Sequence, residues 1–294
     1  MYKFLLPLVA VGLSACGGSS TSDPTNFIIN TPTGTDLVSN TAKSFSQTSA
    51  SSPYTLAAGN SSFTLTRTNT AAAHLSTYRL VINGVTYNLT PQTGNSATST
   101  NNSFVGTTGS TNAAVFLNEN KPNGSIANIQ LKTGGATNEL FGIVGNATPV
   151  SALTSTASYS GIGEISVDRA GANPVFDDAP SSTVTMNVDF GASNLTGTFN
   201  VTDATGDAGG IDIAGSTTLP FTGTVSGNTF TANVNYANLV GITTGLNSVG
   251  TVNPIEGGFY GPNGENALGV GLSLGQSSVA NDVVIYTRIQ ADKQ

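Results

Sequence analysis

Few residues in this chain have the chemistry of a reactive site. His74 is the only histidine and Cys16 the only cysteine among 294 residues. Neither a Ser-His-Asp arrangement nor a pair of carboxylates at catalytic spacing accompanies His74, so an enzyme is not expected. Gly161 and Gly163 do not open a dinucleotide loop, because Ser166 stands where the third glycine is required and no helix follows. His74 lies in an Ala-rich segment just before Tyr78, where it is either an ordinary loop residue or a candidate axial ligand for haem iron. Asp203, Asp207 and Asp212 surround glycines, as an oxygen-liganded Ca²⁺ loop or a solvated acidic turn would. The spacing and terminal Glu of an EF-hand are absent, and no metal site is assigned. No resident cofactor is expected; haem enters only as a candidate ligand.

Cys16 carries a different chemistry. Lys3 is followed by an apolar run over residues 4–13 and then by Leu13-Ser14-Ala15-Cys16. This is a secretory signal with small residues before the cut, too short to span a bilayer. The tetrad matches the bacterial lipobox, so cleavage would leave Cys16 as a lipidated N-terminus bearing diacylglycerol and a further acyl chain such as palmitate. No thiol then remains for a disulfide, metal or nucleophile. Gly17, rather than Asp, favours the outer membrane by the usual sorting rule. Two or more acyl chains make a stable anchor, whereas one binds marginally.

The elements that must position these residues are strands. Only 9% of residues are charged and the net charge is -7, which removes a basic footprint for nucleic acid. Many β-branched residues, 35 glycines and few strong helix formers predict an all-β chain with polar faces and Gly-rich turns. We read residues 1–15 as signal peptide and 16–50 as a lipidated flexible tether, Ser/Thr/Asn-rich with Pro24 and Pro32. Residues 35–43 could form a helical turn or two. Residues 51–150 read as a β-rich domain. There Asn83-Gly84, between two alternating runs, is the clearest hairpin, suited to a type I′ turn. A small-residue connector precedes a second block, 155–294. It holds about eight strands at the short spacing of an up-and-down antiparallel barrel, the size at which side chains just fill the interior or one small ligand fits.

Within that block Phe259-Tyr260-Gly261-Pro262, followed by Glu265 and Gly269, reads as a hairpin. Phe259 and Tyr260 point to opposite faces of a strand, glycine and proline make the turn, and Glu265 can accept backbone N–H groups there. Upstream come two further strand–turn–strand units, DFGASNLTGTF over 189–199 and FTGTVSGNTF over 221–230. The three units in this order resemble the transferrin-binding-protein-B-like bacterial surface lipoproteins, clearly over 159–294 and more weakly over 54–148. The resemblance implies an N-terminal β-rich handle and a C-terminal eight-stranded barrel. It also implies an outer-membrane, outward-facing, non-catalytic binding protein. Its ligand would be environmental or host-derived: an iron-carrying protein, haem or similar. Partners would then include the membrane, through the lipid, and an outer-membrane translocon or a TonB-dependent receptor. The competing expectation is a structural or adhesion lipoprotein of the envelope with no iron-related ligand.

Overall fold

The alternation of apolar and polar residues becomes strand nearly throughout. The computed structural model describes residues 31–294 apart from 70, 97, 98, 100, 171–181, 203–212 and 278. The first nine strands are β1 (Asp36–Gln47), β2 (Thr55–Leu56), β3 (Ser61–Arg67), β4 (Tyr78–Ile82), β5 (Val85–Pro91), β6 (Asn101–Thr108), β7 (Thr111–Lys121), β8 (Gly124–Thr133) and β9 (Ala136–Gly145). They pair antiparallel in sequence, and β1 then pairs with β9, closing an eight-stranded barrel with β2 as a short appendage. The expected β-rich handle is therefore itself a closed barrel.

β1 makes that closure by bending. Its first half pairs with β3, the register shifts between Ser39 and Ala42, and its second half pairs with β9. The sequence expectation for these residues is the tether over 16–50, with a helical turn or two possible over 35–43. Both expectations are corrected: the segment is strand from Asp36. Its Ser/Thr/Asn content hid an inward set, Leu37, Ser39 and Ala42, all buried. At the β4–β5 hairpin Asn83 and Gly84 have φ of 51° and 78°, the positive pair a type I′ turn demands. Phe63, Leu80, Leu89, Phe104, Val115 and Ile129 fill this barrel.

The second set is β10 (Thr156–Arg169), β11 (Thr183–Asp189), β12 (Asn194–Val201), β13 (Thr217–Ser226), β14 (Thr229–Val234), β15 (Ser248–Val252), β16 (Ile255–Tyr260), β17 (Asn266–Gln276) and β18 (Val283–Lys293), with one short helix, α1 (Ala237–Val240), after β14. β18 pairs with β10 on one side and β17 on the other, closing a second eight-stranded antiparallel barrel with β15 as a short appendage paired to β17. Its interior is packed with Phe199, Phe221, Phe230, Phe259 and Tyr159. Along β11 the outward Thr183, Thr185 and Asn187 are exposed while Val184, Met186 and Val188 are buried. Apolar inside and polar outside is the reverse of a membrane-spanning barrel.

β17 and β18 break this rule, being buried on both faces. Their outward Leu268, Val270, Leu272, Leu274, Val284 and Tyr286 pack against Phe45, Tyr54, Ile126, Phe141 and Ile143 of the first barrel in a third core, the seam between the barrels. The Phe141 and Tyr286 rings lie 4.3 Å apart. Ion pairs flank the seam: Lys43 with Glu256 and Lys121 with Asp292, each at 2.7 Å.

Candidate functional site

The Phe259–Pro262 motif sits at the foot of the seam. Phe259 points inward, fully buried, with its ring 4.9 Å from Phe190 and 5.5 Å from both Tyr159 and Phe230. Tyr260 points outward over Gly145, and burial pushes its hydroxyl well above the usual tyrosine range. Gly261 has φ +90°, and a Cβ there would overlap Glu265 Oε2 and Asn123 of the first barrel, so glycine is required twice over. Pro262 follows in the turn. Gly269, on β17, faces inward beneath Phe230 and Ile255, where a side chain would collide with both.

Around this turn the connector between the barrels is fixed. Gly261 N–H donates to Asn146 O at 2.8 Å, Thr148 N–H to Phe259 O at 2.9 Å, and the Thr148 hydroxyl to Gly261 O at 2.8 Å. Tyr159 Oη donates to Gly264 O at 2.9 Å. Asn123 Nδ2 donates to Asn266 Oδ1 at 2.8 Å, and Asn266 Nδ2 to Asp292 Oδ1 at 2.8 Å. Glu265 accepts the backbone and side-chain N–H groups of Asn263, both at 3.0 Å. Partial burial opposes its ionisation. The backbone N–H groups of Asn263 and Glu265, the Asn263 side chain and nearby Lys293 outweigh it, holding the carboxyl below its ordinary value. Each polar atom is engaged with the turn, and the arrangement acts as a clamp between barrels.

His74 is placed elsewhere, in a short 3-10 turn (Ala73–Leu75) between β3 and β4. Its carbonyl accepts from Asn95 Nδ2 at 3.2 Å, which ties this loop to the one after β5. Tyr78, its neighbour in sequence, is turned into the core, its ring 4.6 Å from Phe104. Cys16 and the Asp203/Asp207/Asp212 loop lie outside the described residues. Among the described residues no group of three His, Cys, Asp or Glu side chains could hold a metal ion.

The sequence reading missed two features. One is a groove of about 1100 Å³ on the outside of the first barrel, lined by Thr90, Gln92, Asn95, Ser103, Phe116 and Lys132 among others, with no carboxylate in its wall. The other is the seam, whose signal was the near-continuous apolar character of β17 and β18, typical of strands buried on both faces.

A family model described as the C-lobe and N-lobe beta barrels of Tf-binding protein B matches residues 152–284. The match covers most of the second barrel and lies outside the first. The matched stretch runs from the end of the connector into the first residues of the last strand. Among solved structures, a double mutant of transferrin-binding protein B from Haemophilus parasuis is 18% identical, with a TM-score of 0.49, over 88% of this chain and 45% of that one. The N-lobe of lactoferrin-binding protein B of Moraxella bovis is also 18% identical, with a TM-score of 0.37, over 65% of this chain and 79% of that one. Transferrin-binding protein B from serogroup B Neisseria meningitidis is 12% identical, with a TM-score of 0.35, over 89% of this chain and 77% of that one. The chain thus spans less than half the length of the Haemophilus parasuis protein. No curated protein matches this chain.

Proposed function

We propose that this chain is a non-catalytic binding protein, anchored to the outer membrane through lipid on Cys16 and facing the cell exterior, whose ligand is an iron-carrying protein, haem or a similar host or environmental molecule. The observation that carries this reading is the similarity of residues 152–284 to the barrels of Tf-binding protein B. The geometry supports it. Both interiors are packed with side chains, so contact with a large ligand falls to loops and outer faces set on rigid walls. Strand direction supports an orientation too. β1 begins at the same end as the Gly261 turn, and β10, β12 and β17 finish at the opposite end. An anchor upstream of Asp36 would turn those strand ends away from the membrane. An outer-membrane translocon and a TonB-dependent receptor are the partners this reading calls for.

The test is capture of iron-carrying serum proteins by the immobilised chain, with a haem titration read at the Soret band. Binding in either assay is the expected result, and failure of both overturns the reading. Replacing His74 by Ala abolishes the Soret change if that residue ligates iron. Cys16→Ser should end acyl labelling and release the chain from membranes, and protease treatment of intact cells reads its exposure.

The groove on the first barrel favours a second reading, adhesion to a neutral glycan. Amide and hydroxyl side chains, with Phe116 as an apolar platform and a single cation at Lys132, line it. That reading expects binding on a glycan array to fall on Phe116→Ala, while iron-protein capture is absent.

A further inference from the structure

Glu139, on β9, lies on the outward face that it shares with Phe141 and Ile143 and is 0% exposed once the barrels dock. Neither of its carboxylate oxygens has a hydrogen-bond partner among the described residues. A buried carboxylate without donors cannot comfortably carry its charge. The groups facing it come from every element around that end of the seam. Asp168 on β10 is 1% exposed and acts on Glu139 through its charge. Tyr54, from the loop after β1, feels the charges of Asp168, Glu139 and Asp282. Asp282, before β18, is held by Ser277. Lys132 on β8 is the nearby cation acting on Glu139, and its side chain is exposed to solvent. Farther along the same face Glu164 and Arg288 pair with one another.

We propose that Glu139 and Asp168 form a proton-dependent latch across the seam: the two barrels dock while Glu139 carries a proton and loosen when both carboxylates are charged. Burial first, and the charge of Asp168 second, push Glu139 up to about 8, with Lys132 opposing. Undocking bares the outward face of β9 and returns Glu139 toward the ordinary value of 4.5. The docked state therefore binds a proton that the open state releases. Its extra stability is complete below pH 4.5, is lost as pH rises, and is gone above about pH 8. Within that window the docking equilibrium falls by up to about tenfold per pH unit.

The test uses the full chain with Cys16 replaced by Ser and donor and acceptor dyes on Thr86→Cys and Thr185→Cys, one in each barrel and both exposed. Inter-barrel transfer efficiency is followed from pH 5 to pH 9. A fall in efficiency over the upper part of this range, absent in Glu139→Gln and displaced toward higher pH in Lys132→Glu, is the expected result. Should Glu139→Gln not fold, the Lys132→Glu displacement alone reads the latch. A pH-independent efficiency in the parent chain, or the same profile in Glu139→Gln, overturns the proposal.

Discussion

At the scale of single residues, the clamp and the core separate cleanly by cost. Phe259 is fully buried among three aromatic rings, so Phe259→Ala should lower stability by about 3–5 kcal/mol, measured by denaturant unfolding. Glu265 only braces its turn at the surface, so Glu265→Ala should cost below about 1.5 kcal/mol and leave ligand capture unchanged. Its carboxyl is held below the ordinary value. Its contribution is therefore present at neutral pH and disappears as pH falls through its own folded value. Thermal scans of the parent and Glu265→Ala should converge toward strongly acidic pH. Glu139 has the opposite sign, and the two acids can be told apart by the pH at which each matters.

Among the elements, turns were the most legible part of the sequence. Asn83-Gly84 and the Gly261 turn are dictated by backbone conformations that few other residues adopt. Replacing Asn83-Gly84 by Ala-Ala should therefore cost roughly 1–2 kcal/mol per residue forced to positive φ, read as a lower unfolding midpoint with binding retained. The strands of the second barrel were also readable, because Val184, Met186 and Val188 alternate cleanly with Thr and Asn. β1 was not. Its inward residues include Ser39, whose hydroxyl accepts the Ile143 N–H at 3.2 Å, so a polar side chain fills a role that periodicity reserves for apolar ones. The partner of a doubly apolar strand is likewise invisible in one dimension. Leu272 and Leu274 read as core, yet they are core between barrels. The clamp was visible as turn chemistry, but its Asn123–Asn266 contact joins residues 143 positions apart and had no local signal.

For the molecule as a whole, the seam makes two closed barrels one mechanical object. Its apolar centre and flanking ion pairs predict a single calorimetric unfolding transition for both barrels at mildly acidic pH. Phe141→Ala, which removes the ring against Tyr286, should lower that transition by about 3–5 kcal/mol or split it in two. β18 carries a further consequence. This one strand pairs with β10 and β17 and also supplies Val284 and Tyr286 to the seam. Neither the second barrel nor its junction with the first can form until residue 293 is available. During synthesis the order of events is therefore vectorial: the first barrel can close early, while everything after Thr156 waits for the final strand. A chain halted before Val283 would be kept open, with the apolar faces of β10 and β17 still accessible to solvent.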